Sequence, residues 1–223
     1  MRYRLIRVLV GLVALLQMRL YISHQDAIPP DGPVLLVSNH LGMTDPLAIA
    51  LPLRRQVRIL AKAELFELPL IGWLSRQAGV IPVRRESADR EALQLAYGEL
   101  ADNECVLIFP EGKYQHPPKV PGMQQVKTGA AWLALKSGAQ VVPVAVWGTE
   151  YVWEVSRGWR PWNRLPVHVV FGEPYYPQAP STGMPTKALL NLVAAEMAEK
   201  IAELLPPAYH GVYGRQTADV PAT

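Results

Sequence analysis

Hydrophobic positions along this chain of 223 residues fall into short continuous runs, separated by segments in which apolar positions recur with helical spacing. Short apolar runs bounded by glycine, proline or polar residues are typical of strands that are buried on both faces. These runs and one alternating stretch predict strands at 33–38, 56–62, 79–83, 105–109, 141–147 and 167–171. Helical spacing and start signals predict helices at 46–51, 87–101, 130–137 and 187–205. Alternating strands and helices predict a single α/β domain, with a largely parallel central sheet flanked by helices.

Two segments contain residues that disturb regular structure. The stretch 64–77 is unusually apolar and contains Pro69 and Gly72, so it is predicted to be a broken helix. Its large side chains either line a groove for an apolar chain or belong to the core. Pro143 lies inside the strand at 141–147 and indicates a bulge or an edge position, because proline has no amide hydrogen.

The N-terminal segment is apolar but too short to cross a bilayer. Residues 8–18 form an uncharged run between arginines, about half of the ~20 residues that a transmembrane helix needs. Arginines around an apolar helix are typical of a helix in the membrane interface, so residues 1–25 are predicted to form one. A core helix packed on the domain is the alternative. Residues 26–205 are then the folded domain, and the Pro/Gly-rich residues 206–223 are a loosely structured tail.

Composition and motifs exclude several classes of function. Half of the residues are hydrophobic, the net charge is +3, and Cys105 is the sole cysteine, so neither a disulfide nor a thiolate metal cluster is expected. The chain has no G-x-S-x-G, G-x-G-x-x-G or P-loop motif, which argues against a serine hydrolase and against nucleotide sites. The histidines lack the spacing of metal ligands, so no metal is expected. Basic residues are not interleaved with aromatic ones, so nucleic acid is not an expected partner.

His40 and Asp45 lie on either side of a predicted strand-to-helix turn. His40 follows the strand at 33–38, and Asp45 is predicted to be the N-cap of the next helix, with Pro46 at its first position. A turn through Gly42 lets the imidazole meet the carboxylate, which is the arrangement of a general base held in one tautomer. The alternative is that Asp45 is only a helix cap and His40 only a strand-end residue that bonds to backbone.

Polar residues follow the carboxyl ends of four predicted strands: His40, Arg85, Glu111 and the residues after Val146. In a parallel sheet these ends meet at one edge, and open α/β sheets bind their ligands there. The sequence therefore predicts a site at which these residues converge.

Four sequence blocks, in this order, resemble the glycerolipid acyltransferase family that includes the 1-acyl-sn-glycerol-3-phosphate acyltransferases. Asn39-His40-x-x-x-x-Asp45 is similar to its N-H-x-x-x-x-D block, and residues 79–85 (GVIPVRR) are similar to its arginine-bearing block. Residues 109–112 match F-P-E-G, and residues 141–144 (VVPV) are similar to the proline block. The similarity covers residues 30–175. It implies a glycerol-3-phosphate acyltransferase-like fold, with an acyltransferase domain over residues 26–205.

The resemblance implies acyl transfer with His40 as the general base and Asp45 as the residue that holds it. His40 would take the proton of an acceptor hydroxyl as that hydroxyl attacks the thioester of acyl-CoA or acyl carrier protein. No cofactor beyond this co-substrate is implied. The implied acceptor-binding residues are Arg85, which would grip a phosphate, and Glu111, Gly112 and Lys113. Glu111 is expected to fix its loop and to pair with a cation such as Arg85. The residues implied to shape loops or the donor side are Asn39, Arg84, Lys127 and Pro143.

The chain departs from the family after F-P-E-G, because Lys113-Tyr114-Gln115 replaces the usual Thr-Arg-Ser. Arg84 also stands where many members carry Asp, and Lys113 or Lys127 is expected to compensate for the missing arginine. The favoured interpretation is synthesis of phosphatidic acid from 1-acyl-sn-glycerol 3-phosphate. The second is acylation of another lysolipid or an amino-acid-derived lipid, and the third is a lipid-binding protein without activity. The expected partners are a lysophospholipid and a membrane surface, with the protein peripheral or monotopic at the cytoplasmic face.

Overall fold

Seven strands and five helices are present in the computed structural model, which describes residues 18–67, 69–77, 79–83, 88–112, 122–152, 164–178 and 186–214. The strands are β1 (Met18–Ser23), β2 (Val34–Ser38), β3 (Val57–Lys62), β4 (Ile81–Val83), β5 (Cys105–Ile108), β6 (Gln140–Trp147) and β7 (Leu165–Phe171). The helices are α1 (Asp45–Ala50), α2 (Pro69–Gln77), α3 (Ala88–Ala101), α4 (Gly129–Ser137) and α5 (Lys187–Leu204). Short 3₁₀ turns occupy Gln25–Ala27, Ala63–Glu67, Thr149–Tyr151, Pro207–Tyr209 and Gly211–Tyr213.

The strands form one sheet in the order β1-β7-β6-β2-β5-β3-β4. β2 lies at its centre and pairs in parallel with β5 on one side and β6 on the other. β7 runs antiparallel to β6, and β1 runs parallel to β7, so these two strands oppose the other five. The predicted α/β fold with a largely parallel sheet is confirmed.

Both faces of the sheet are covered, so the site must lie at an edge. Helices α3, α4 and α5 pack on the face that carries Leu35 and Val37 of β2. The other face carries Val34 and Leu36, and Ile49 of α1 packs against it. Because successive strand residues point to opposite faces, β2 is buried on both, which explains its uninterrupted apolar run.

The predicted N-terminal helix over residues 1–25 is wrong for its last part, because Met18–Ser23 is strand β1. Its register runs along β7 from Met18 opposite Leu165 to Ser23 opposite Val170. Main-chain bonding to a distant strand, which has no local signature, determines the structure here. Residues 1–17 lie outside the described residues. Among the helices that the structure does describe, none is long and apolar enough to cross a membrane.

The prediction of a loosely structured tail over residues 206–223 is wrong for residues 206–214. The two 3₁₀ turns at Pro207–Tyr209 and Gly211–Tyr213 are held by main-chain bonds to Met123, whose amide donates to the Tyr209 carbonyl and whose carbonyl accepts from Val212. Prolines and glycines here form tight turns instead of loose chain. Residues 215–223 lie outside the described residues.

Pro143 is not at an edge, since β6 lies between β2 and β7 with Pro143 in register with Val37. The partner chain beside it does carry one extra residue, because the antiparallel register shifts by one between the pair Val141–Tyr175 and the pair Val144–Phe171. The Pro143 carbonyl accepts from Gly172 at 2.8 Å, so its missing amide hydrogen faces the β7 side. Pairing of β6 with β7 starts only one residue later, at Val144, and no bond of the β2 ladder is lost.

The broken helix is confirmed as the 3₁₀ turn Ala63–Glu67 followed by α2. A Cβ at Gly72 would lie 2.2 Å from the Phe66 carbonyl oxygen, so the turn folds back on the helix at a position that only glycine permits. Trp73 is 52% exposed and therefore does not belong to the core. The groove for an apolar chain stays a prediction.

Candidate active site

Asn39 fixes the place where the chain leaves the central strand. Its fully buried side chain donates through Nδ2 to the Val146 carbonyl at 2.8 Å and accepts the Val146 amide through Oδ1 at 2.9 Å. The amide side chain thus continues the pairing of β2 with β6 by one residue. These two bonds fix the start of the turn that carries His40.

One carboxylate oxygen of Asp45 organises the turn. Oδ2 lies 2.7 Å from His40 Nδ1 and accepts the amides of Leu41 at 2.7 Å and Gly42 at 2.9 Å. Asp45 is fully buried and is the first residue of α1, whereas Thr44 is the N-cap, so the N-cap prediction is wrong by one position. The carboxylate bonds backwards into the turn instead of forwards into the helix.

Glycine is required at position 42 because the turn approaches the chain that follows β6. A Cβ there would lie 2.9 Å from the Thr149 carbonyl oxygen. Real Cβ atoms essentially never come so close to backbone oxygen, so a side chain would displace the turn.

The His40 ring is held on two sides. It stacks on Phe109 with a centroid separation of 4.1 Å and an interplanar angle of 20°, and its side chain is 15% exposed. An ionised carboxylate only accepts, so the hydrogen between His40 and Asp45 belongs to Nδ1, and Nε2 presents a lone pair on the far side of the ring. A histidine in this tautomer, oriented by a buried carboxylate, is able to accept a proton from a hydroxyl.

Glu111 links the loop after β5 to the His40 turn. Its Oε1 accepts the His40 amide at 3.1 Å, and its Oε2 accepts the Gln124 amide at 3.2 Å. Burial raises the pKa of this carboxyl to about 7, with a further rise from Asp45, while the two amide bonds act in the opposite direction. Glu111 therefore connects the His40 turn to the loop at Gln124. The predicted partner Arg85 lies outside the described residues.

Lys127 lies beside the glycine of the F-P-E-G block. Gly112 has a φ of +76°, and a Cβ on it would lie 3.2 Å from Lys127 Nζ. The Lys127 amide also donates to the Pro110 carbonyl at 2.8 Å, just before α4 begins. A cation thus borders this loop, at the edge of the sheet predicted for the site.

Not every predicted site residue reaches this edge. Pro143 lies three residues before Val146, about 10 Å along the strand from the Asn39 bonds, so the structure does not bring it to His40. Arg84, Arg85 and Lys113 lie outside the described residues. Among the residues that the structure describes, no three histidine, cysteine, aspartate or glutamate side chains cluster as metal ligands.

Sequence reasoning missed two parts of the site. Phe109 was read only as part of a motif, although an aromatic residue at a strand end next to a histidine is itself a signal for ring stacking. Gln124 contributes only its backbone amide, which any residue except proline has, so its residue type gives no signal in the sequence.

His40 and the buried carboxylate of Asp45 lie together at the carboxyl edge of the α/β sheet, and comparison with known proteins gives the family. The family model described as Acyltransferase matches residues 19–147, more than half of the chain. The chain therefore belongs to this acyltransferase family, which confirms the resemblance seen in its motifs.

Individual relatives carry two different names. A 1-acyl-sn-glycerol-3-phosphate acyltransferase of Chlamydomonas reinhardtii is 33% identical over 130 residues, 57% of this chain. One of Bacillus subtilis is 27% identical over 184 residues, which are 82% of this chain and 86% of that protein. A lyso-ornithine lipid O-acyltransferase of Pseudomonas aeruginosa is 35% identical over 119 residues, 52% of this chain and 44% of that protein. The first curated relatives that it matches are longer, since it spans only 38% of the Chlamydomonas protein.

The fold is also found in a solved structure. The crystal structure of the 1-acyl-sn-glycerophosphate acyltransferase PlsC from Thermotoga maritima superposes with a TM-score of 0.66 at 23% identity. The match covers 91% of this chain and 79% of that one. The predicted acyltransferase-like fold is thereby confirmed.

Proposed function

We propose that this protein transfers a fatty acyl group from an acyl thioester to the free hydroxyl of 1-acyl-sn-glycerol 3-phosphate and so forms phosphatidic acid. The observation that carries the proposal is the 2.7 Å contact between His40 Nδ1 and Asp45 Oδ2, on a turn that two backbone amides hold in place. Relatives named for this reaction, one of them matched over 86% of its length, support the choice of acceptor.

The reaction needs one base and no covalent acyl-enzyme. His40 Nε2 takes the hydroxyl proton while the acceptor oxygen attacks the thioester carbonyl carbon. The carbon–oxygen ester bond forms, the carbon–sulfur bond breaks, and the imidazolium returns its proton to the departing thiolate. Buried Asp45 stabilises the imidazolium between these steps, since an opposite charge at hydrogen-bond distance favours the charged form. The thioester is already activated, so either acyl-CoA or acyl carrier protein serves as the donor.

The acceptor phosphate is assigned to the cations around the F-P-E-G loop. Lys127 borders Gly112, and Arg85 and Lys113 follow the predicted carboxyl ends of neighbouring strands. A guanidinium fork binds two phosphate oxygens at once, which suits Arg85 to this task. Glu111 has both carboxylate oxygens on backbone amides and acts by holding the loop.

We also propose that the protein works at a membrane surface, on the cytoplasmic side, as a peripheral or monotopic protein. The support is the uncharged run at residues 8–18 between arginines, together with a lysolipid acceptor that resides in a bilayer.

Acylation of an amino-acid-derived lysolipid is the second candidate function. Two observations favour it: the chain is 35% identical over 119 residues to a lyso-ornithine lipid O-acyltransferase, and Lys113-Tyr114-Gln115 replaces the family's usual Thr-Arg-Ser. The catalytic step is the same in both candidates, because only the group that binds the acceptor head differs.

A panel assay tests both candidates. Purified full-length protein is incubated in mixed micelles with radiolabelled acyl-CoA or acyl carrier protein and with 1-acyl-sn-glycerol 3-phosphate, lyso-ornithine lipid or lysophosphatidylcholine. We expect the highest kcat/KM with the phosphomonoester acceptor, and His40→Ala is expected to lower turnover by ~10²–10⁴-fold without unfolding the protein. A preference for lyso-ornithine lipid would establish the second candidate. Vesicle binding without any acyl transfer, or near-normal turnover by a folded His40→Ala variant, would refute the proposed enzyme.

A further inference from the structure

The C-terminal residues 206–214 return to the middle of the chain and pair with it. The Met123 amide donates to the Tyr209 carbonyl at 3.0 Å, and the Met123 carbonyl accepts from the Val212 amide at 3.0 Å. A Cβ on Gly211 would lie 2.1 Å from the Met123 carbonyl oxygen, so the two backbones are in direct contact there. Met123 itself is 1% exposed and belongs to the core, so this pairing is a fixed part of the domain.

Two tyrosine side chains anchor the same segment on either side. The Tyr213 hydroxyl accepts the Val126 amide at 3.0 Å. The Tyr209 hydroxyl donates to Glu150 at 2.7 Å, and Glu150 in turn accepts the Gly148 amide directly after β6. Residues 206–214 therefore connect the end of β6 to the loop at 122–126.

That loop carries the contact to the catalytic turn. Gln124 lies between the two anchored positions, and its amide donates to Glu111 Oε2, while Glu111 Oε1 accepts the His40 amide. A continuous series of hydrogen bonds therefore runs from the C-terminal segment to the backbone of the proposed general base. The family model ends at residue 147, so the segment lies outside the region that defines the family.

We infer that residues 206–214 are a positioning element for the proposed acyl transfer: they hold the Gln124 amide on Glu111 and thereby fix Glu111 beside His40. These residues, named the C-terminal clasp, do not contact the substrate. They act through Glu111. The inference rests on the proposed function only for its kinetic measurements, because the pKa of Glu111 can be measured in a protein that has no enzymatic activity.

The clasp predicts a pH effect that general loss of stability does not give. The pKa of Glu111 is raised to about 7 by burial, and the Gln124 and His40 amides oppose that rise. The other groups that face it among the described residues are Asp45, whose charge raises the pKa further, and Lys127 beside Gly112. Loss of the Gln124 bond removes a partner of the ionised form, so the pKa must increase. Protonated Glu111 accepts the two amides less well, so activity falls on the acidic side.

Gly211→Ala is the sharpest test, and Gly138→Ala is its matched control. Both glycines have a left-handed backbone, with φ of +55° and +65°, so alanine strains both. A Cβ at Gly211 runs into Met123, whereas a Cβ at Gly138 meets nothing within 4 Å. The Glu111 carboxyl is titrated by ¹³C NMR, and kcat is measured from pH 5 to 9 in the assay of the proposed function.

We expect Gly211→Ala to raise the pKa of Glu111 by about one unit and to shift the midpoint of the acidic limb of the kcat–pH profile upward by the same amount. The activity should therefore fall about fivefold at pH 7 and little at pH 9. Gly138→Ala should shift neither the pKa nor the acidic limb. His40 also takes up a proton in the proposed reaction, so the change is repeated with Glu111→Gln, where Gly211→Ala should no longer shift the acidic limb. If Gly211→Ala does not fold, Tyr213→Phe is used, with the exposed Tyr176→Phe as its control.

The outcomes separate the two proposals. A lower kcat with an unchanged Glu111 titration and an unchanged acidic limb would overturn the clasp and leave the acyl transfer intact. A raised pKa of Glu111 in a protein whose wild type transfers no acyl group would support the clasp and refute the proposed function.

Discussion

Substitutions of Asp45 by asparagine and by alanine separate the chemical role of this carboxylate from its structural role. Oδ2 accepts from His40, Leu41 and Gly42, while Oδ1 is buried with no hydrogen-bond partner in the described part of the chain. In Asp45→Asn the amide oxygen must replace Oδ2, because the opposite orientation would set an NH₂ group against two N–H donors. The turn and the His40 tautomer are then retained, and only the negative charge is lost.

The two variants should differ in size and in kind of effect. A unit charge about 4 Å from an imidazolium contributes roughly 4 kcal/mol at an effective dielectric constant of about 20. Removing it in Asp45→Asn should therefore lower kcat by about 10³-fold. Asp45→Ala also leaves two buried amides without an acceptor, at about 1–3 kcal/mol each, so unfolding should become easier by about 2–6 kcal/mol.

The measurements are kcat with saturating acceptor and the free energy of unfolding in urea, followed by circular dichroism. Asp102→Asn, at an exposed aspartate after α3, is the control and should change neither quantity. A folded Asp45→Asn variant with more than about a tenth of normal activity would show that the charge is not used in the transition state. An Asp45→Ala variant as stable as the wild type would show that the turn does not depend on this carboxylate.

Three further predictions concern other parts of the chain. Asn39→Ala should destabilise the fold by about 2–6 kcal/mol in urea, because both Val146 backbone groups lose a buried partner. Asn191→Ala, on the exposed side of α5, is the control, and equal unfolding midpoints for the two variants would contradict the reasoning. Arg85→Lys should raise KM for the phosphorylated acceptor roughly ten- to a hundredfold. A rise confined to the KM of the acyl donor would favour the second candidate function, with an amino-acid-derived lysolipid as acceptor, over the first. Deletion of residues 1–17, which keeps β1, should reduce binding to vesicles, and unchanged binding would rule out the interfacial helix.

The parts of the site that local chemistry determines were predictable from the sequence. A buried strand followed by His40, a glycine turn and an aspartate at a helix start is a short segment, and its geometry depends on residues close together in the chain. The error of one position at Asp45 has the same origin, because N-cap rules consider only bonds into the helix, whereas this carboxylate bonds back into the turn.

The features that sequence reasoning missed all depend on contacts between distant segments. β1 is a strand because it pairs with β7, with Met18 opposite Leu165. The C-terminal turns are ordered because Tyr209 and Val212 form main-chain hydrogen bonds with Met123. Such main-chain pairs have no periodicity and no preferred residue type. The sequence of residues 18–23 therefore fitted the end of an interfacial helix as well as a strand. The proline- and glycine-rich residues 206–214 likewise fitted a loose tail as well as ordered turns.

The direction of β1 decides from which side the chain reaches the sheet. β1 runs opposite to β2, so Met18 lies at the edge of the sheet where β2 ends and the chain reaches His40. Three strand spacings, about 14 Å measured perpendicular to the strands, separate β1 from β2. Whatever precedes Met18 is tethered at that edge. If residues 1–17 hold the protein on a lipid surface, as predicted, the proposed general base His40 is kept within a few nanometres of lysolipid molecules confined to that surface. Encounter then becomes a search in two dimensions, at an effective acceptor concentration set by the tether and not by the bulk solution.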